Sequence, residues 1–240
     1  MDQFRRDRGM HTHLEIQSDD AVFHAWADAL VLMKTALAVQ IPLPVEATNL
    51  DPNRNRNRAL YERQRRRLER RLQTEDFLPL NQVLKKSLKF ALNKIGLDST
   101  SSDEDKLLSA VKDADPFPEV NQVLSELKQD YQIAILSNSE PDIIRFNIAK
   151  IGVDFDEVVL ASEAKCYKPS AGMFNELIKR INEDPKNITH IAQSFYHDMR
   201  TAKDLGFGRR IWINRYKKQG DLSYKPDAEI SDMRRLHEQL

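Results

Sequence analysis

Apolar residues along this chain fall into two regimes. Val22, Trp26, Ala29, Leu30, Met33 and Leu37 recur at steps of three and four, with neither Gly nor Pro between Ala21 and Val39, so the spacing predicts a helix there. Ser18-Asp19-Asp20 stands in front of it as a cap, and Pro42 and Pro44 end it. Leu60, Leu68 and Leu72 mark a second helical stripe over 54–73, and Val83, Leu84, Leu88, Ala91, Leu92 and Ile95 a third, stopped by Gly96. A linker over 98–103 and a short helix lead to Pro116-Phe117-Pro118. Beyond that the pattern changes.

From residue 120 onward short apolar runs alternate with helical stretches. Helices are predicted over 120–127, 143–151, 173–181 and 199–205. Strands are predicted at Gln132–Leu136 (QIAIL), Glu157–Leu160 (EVVL), Thr189–Ala192 (THIA) and Ile211–Asn214 (IWIN). Strand and helix alternating at this spacing give an α/β fold with a parallel sheet and right-handed crossovers. In such sheets the reactive side chains lie just past the carboxyl ends of the strands.

Three strand ends therefore carry the candidate chemistry. Ser137-Asn138-Ser139 follows the first run, where a hydroxyl and an amide opening a helix can hold an anion. Lys168, inside Tyr167-Lys168-Pro169-Ser170, follows the second and would neutralise charge on a substrate or nucleophile. Gln193-Ser194-Phe195-Tyr196-His197-Asp198 follows the third, and Asp198 there can serve equally as a helix-end carboxylate.

Composition changes this picture little. The 240 residues carry 37 Lys+Arg against 37 Asp+Glu, so no global field selects a polyanion. One cysteine, Cys166, leaves no intrachain disulfide and suits a reducing compartment. Met1 to Ile16 has no apolar h-region of a secretory signal, and Ala21–Val39 is too short and too polar to cross a bilayer. A cytoplasmic protein is expected. The arginine-rich stretch 54–73 reads chiefly as a solvated helix over a core. A nucleic-acid role there is the lesser alternative, since aromatics beyond Tyr61 are lacking.

Taken together, LSNS, YKPS with its lysine thirty-one positions after Ser137, AQSFYHD and WINR resemble motifs two to four of the haloacid dehalogenase-like superfamily, in its 2-haloacid dehalogenase branch. The resemblance implies a Rossmann-like parallel sheet over 116–240, a helical cap over 55–115 and a divergent segment over 1–54. It implies that Ser137, Asn138 and Ser194 bind substrate, that Lys168 and Asp198 are catalytic, and that the substrate is a small anionic molecule. Dimers supported by the cap helices are also implied. Ala192-Gln193 replaces the Gly-Asp pair of the magnesium-dependent phosphatases, so no metal or other cofactor is expected. Phe195 stands where the branch has asparagine.

The family's first motif is an apolar strand ending in Asp-x-x-Gly-Thr-Leu, whose aspartate attacks the substrate. No Gly-Thr pair occurs in residues 1–58. The central first strand is accordingly expected to be degenerate or missing, with Leu14–Gln17 or Ala29–Met33 filling its place. Asp19 and Asp20 lie roughly where the nucleophile falls. Two readings stay open: a hydrolase using a displaced acid, and an inactive relative kept for binding or as a scaffold.

Overall fold

The computed structural model describes residues 11–14, 33–34 and 54–240, with side chains from Leu60 onward. Its sheet has six strands: β1 (His11–Leu14), β4 (Ile133–Ser137), β5 (Glu157–Leu160), β6 (Ile188–Ala192), β7 (Arg209–Ile213) and β8 (Ala228–Ile230). They run in the order β5-β4-β1-β6-β7-β8, all parallel. A separate antiparallel pair joins β2 (Met33–Lys34) to β3 (Asp115–Pro116).

Every residue of β4 and of β6 is buried, as expected of strands covered on both faces. Successive side chains point to opposite faces. Ile133 and Ile135 pack with Val120, Leu124 and Leu127 of one helix, α4 (Val120–Asp130). Ala134 and Leu136 join Phe174 and Leu177 of another, α7 (Ala171–Ile181), on the far side. The result is a helix–sheet–helix sandwich.

The central place in the sheet is taken by β1, which pairs His11–Leu14 with Ile188–Ile191 and Thr12–His13 with Ile133–Ala134. The gap expected there is filled three residues earlier than Leu14–Gln17. Met33 and Lys34, expected inside a helix, form β2 against Pro116 and Asp115 instead. The apolar spacing at those two positions is thus overridden by pairing with the chain as it enters the core. The rest of the helix expected over 21–39, with its cap Asp19-Asp20, lies outside the described residues.

Between β2 and β3 come α1 (Arg54–Thr74), α2 (Leu80–Lys94) and α3 (Ser101–Asp113). The linker expected over 98–103 is shorter than its composition suggested. Thr100 and Asp103 form a reciprocal capping box that starts α3 at Ser101, with Thr100 Oγ1 accepting from Asp103 N at 3.2 Å. Gly96, at φ +81°, sits just past the end of α2 as expected. The arginine-rich helix is not wholly solvated: Arg65 and Glu69 are fully buried as an ion pair, and Glu69 also accepts from Ser87 Oγ at 2.8 Å.

Candidate active site

Ser137 ends β4, and Asn138 and Ser139 follow it; all three are fully buried. After β5 comes a single turn, α6 (Ala161–Ala164), and then the loop that carries Tyr167 and Lys168. The Lys168–Pro169 peptide is cis. Both ends of the Asn138 amide are spent on this loop: Oδ1 accepts from Lys168 N at 2.6 Å, and Nδ2 donates to Lys168 O at 3.3 Å. Asn138 therefore fixes where Lys168 stands.

Lys168 Nζ donates to Leu136 O at 3.0 Å and pairs with Asp198 Oδ1 at 3.2 Å. Neither side chain has any exposed surface. Burial pushes the Lys168 ammonium down from 10.5 to about 8, with Asp198 pulling the other way. For Asp198, burial raises the carboxyl, but the Lys168 charge and the His190 hydrogen bond outweigh it and hold it below the ordinary range.

His190, two residues into β6 and fully buried, has Nε2 at 3.3 Å from Asp198 Oδ1. Burial lowers its pKa, so the neutral ring carries its proton on Nε2 and donates it to the carboxylate. Phe174 and Phe207 pack against this ring at 5.4 and 5.7 Å. Sequence reasoning missed His190. The signal was an ionisable residue inside a buried strand, eight positions before an acid.

The chain after β6 forms a π-helical turn, Phe195–Met199, which carries Asp198 in its penultimate position ahead of α8 (Arg200–Asp204). Ser194 caps this turn: its Oγ accepts from His197 N at 3.1 Å and lies 2.8 Å from His197 Nδ1. Phe195 turns away from polar contacts and packs edge-on against Trp212 at 4.9 Å. Two other polar atoms at these strand ends, Ser139 Oγ and Gln193 Oε1, are buried without a hydrogen-bond partner. Asp19 and Asp20 lie outside the described residues. Among the described residues no group of three or more His, Cys, Asp or Glu side chains converges as metal ligands.

The site is tied to the helices above it. The N-cap of α2 is Pro79, which offers no side-chain acceptor. Glu140 supplies one from the core, accepting from Asn81 N at 3.1 Å; burial raises its carboxyl pKa. Tyr167 OH donates to Leu78 O at 2.7 Å, and its ring stacks on Phe77 at 5.3 Å. Glu140→Ala is expected to cost about 1 kcal/mol, the usual worth of a helix cap. Hydrogen exchange at the Asn81 amide should quicken, and Glu140→Gln should retain most of the protection. An unchanged exchange rate in Glu140→Ala would show that the bond carries no load.

A family model described as haloacid dehalogenase-like hydrolase matches residues 14–206. The chain is similar to (S)-2-haloacid dehalogenase 4A of Burkholderia cepacia, 26% identical over 60% of this chain and 63% of that one. It is also similar to haloacetate dehalogenase H-2 of Moraxella sp., 27% identical over 65% of this chain and 71% of that one. The match thus spans a little under two thirds of the Burkholderia enzyme. In three dimensions the L-2-haloacid dehalogenase of Xanthobacter autotrophicus with chloropropionic acid covalently bound superposes with a TM-score of 0.73, at 16% identity over 95% of this chain and 96% of that one. The 2-haloacid dehalogenase of Pseudomonas syringae gives 0.59 at 21% identity, over 95% and 97%. With Ser137, Lys168 and Asp198 following β4, β5 and β6 at the carboxyl edge of this sheet, the chain belongs to the haloacid dehalogenase-like hydrolases.

Proposed function

We propose that the chain hydrolyses a small organic acid, in the manner its 2-haloacid dehalogenase relatives' names describe. One observation carries this reading: a lysine and an aspartate with no exposed surface, paired 3.2 Å apart at the carboxyl edge of the sheet. Burying such a pair costs more than packing apolar residues in its place, so its retention favours a chemical role. In this reading Lys168 and Ser137 hold the substrate's carboxylate, and Asn138 and Asp198 position Lys168. Ser194 shapes the turn that bears Asp198. Binding also offsets the cost of the unpartnered Ser139 Oγ and Gln193 Oε1.

A carboxylate displaces the leaving group from the substrate carbon, forming an ester that water then cleaves. Asp19 and Asp20 remain the candidates for that group. Ala192-Gln193 offers no carboxylate to a hard cation, which favours the metal-free chemistry. The same reading takes 55–115 as the cap over a core of 116–240 and keeps the expectation of a cytoplasmic protein that pairs with a second copy. Among the described residues no helix is long and apolar enough to cross a membrane.

The test is release of halide from 2-haloacids and of phosphate from phosphomonoesters. Wild type should exceed Lys168→Ala by at least about a hundredfold, the usual worth of one preorganised charge. Equal background rates in the two proteins would remove the hydrolase reading. A second reading, ligand binding without turnover, is favoured by one fact: β1 reads His-Thr-His-Leu, with no acid in it. It predicts that small carboxylates raise the unfolding temperature although nothing is hydrolysed.

A further inference from the structure

We propose that Ser139 and Gln193 form a subsite for a hydroxyl group of the substrate, so that the acid bound here carries a hydroxyl beyond its reacting carbon. This rests on the hydrolase reading, in which Lys168 and Ser137 hold the substrate's carboxylate. The polar side chains at the strand ends differ in how they are used. Asn138 spends both ends of its amide on the Lys168 backbone, and Ser194 Oγ is spent on His197. Ser139 and Gln193 are as deeply buried, at 0% and 2% exposure, yet Ser139 Oγ and Gln193 Oε1 have no hydrogen-bond partner. The Gln193 backbone is fixed, its carbonyl accepting from Trp212 Nε1 at 2.7 Å. The residue is thus held in place with its amide oxygen unused. Folded proteins rarely leave such atoms unmatched, and a bound ligand is one way to match them.

The topology brings the two residues to one place. Ser139 follows β4, Gln193 follows β6, and β1 runs between those strands. They therefore stand on either side of the carboxyl end of the central strand, on strands two spacings, or about 10 Å, apart. A small molecule seated over that end lies between them. Lys168 is anchored to the same strand end through its bond to Leu136 O at 3.0 Å.

The atoms decide which group fits. A halogen or methyl group matches neither, and a carboxylate offers only acceptors to an amide oxygen that needs a donor. An ammonium donates to both but leaves the serine proton without an acceptor. A hydroxyl donates to Gln193 Oε1 and accepts from Ser139 Oγ, and it serves the amide equally well when turned over. The relatives' names place the halogen on carbon 2, where hydrolysis itself installs a hydroxyl. The group that marks the substrate accordingly sits on carbon 3.

The test is isothermal titration calorimetry of the full chain with two pairs of acids, propionate against 3-hydroxypropionate and lactate against glycerate. Within each pair the members differ only by the hydroxyl on carbon 3. The hydroxylated member should bind at least about tenfold more tightly, because its absence leaves buried polar atoms unmatched. Gln193→Met should bring both ratios close to one while leaving propionate unaffected, and Ser139→Ala should reduce them. In the free protein Gln193→Met should hold or raise the unfolding midpoint, since no hydrogen bond is lost. A lowered midpoint would show that the amide serves the fold and would overturn the proposal. So would ratios that survive Gln193→Met, or β-alanine binding more tightly than 3-hydroxypropionate. Equal, measurable affinities within each pair overturn this inference alone, whereas no binding of any acid overturns the carboxylate pocket with it.

Discussion

Lys168→Met lowers the stability of the protein at pH 7 by about 3–5 kcal/mol, because it strands a buried carboxylate that has lost its principal counter-charge. At roughly 2–4 °C per kcal/mol for a chain of this size, the unfolding midpoint falls by roughly 10 °C. The burial of both side chains sets this magnitude; an exposed pair would contribute almost nothing. His190 still donates to Asp198 in the variant, which keeps the loss from being larger. The Lys168→Met/Asp198→Leu double variant removes both charges and recovers most of the stability. Urea unfolding of the four proteins measures the coupling. If the double variant is as unstable as the sum of the singles, the two residues act independently and the buried pair is not a unit.

Raising the pH past 8 moves activity and stability in opposite directions. Turnover that needs the Lys168 ammonium falls about tenfold per pH unit above its pKa of about 8. In the unfolded chain the same lysine keeps its proton to about 10.5, so between these values the unfolded state binds more protons than the folded one. Folding stability attributable to this group therefore rises across pH 8 to 10.5. The rise is complete by 10.5, where the lysine is neutral in both states. Lys168→Arg keeps its charge across the range and flattens both curves. Parallel pH series of halide release and urea unfolding read the two trends, and a common fall in both would place the titration elsewhere.

The parts of the fold that sequence patterning revealed are those governed by apolar periodicity. β4, β5, β6 and β7 lie within two residues of the QIAIL, EVVL, THIA and IWIN runs, since buried parallel strands announce themselves by continuous apolar side chains. The elements that escaped are placed by their neighbours instead. β1 is a polar tetrapeptide held between β4 and β6, and β8 is three residues on an edge. β2 and β3 are two residues each and exist only as a pair.

The site divides in a similar way. Lys168 and Asp198 stood out because charged residues past apolar runs are legible, and the structure brings them together. The role of Asn138 did not, since only the folded loop shows that its amide is spent on the Lys168 backbone. His190 and Glu140 act across sequence separations that no local pattern reports.

The antiparallel pairing of Met33–Lys34 with Asp115–Pro116 brings the two ends of a long excursion side by side. To the sheet, the three helices over 54–113 are a detour whose flanking residues meet at this pair. A change of length in such a detour leaves the strand order on the other side unaltered where it spares the ties at Asn81, Leu78 and Val111. A chimera carrying another protein's helices between Lys34 and Asp115, with those ties rebuilt, is expected to keep the Lys168–Asp198 pair at its 3.2 Å spacing.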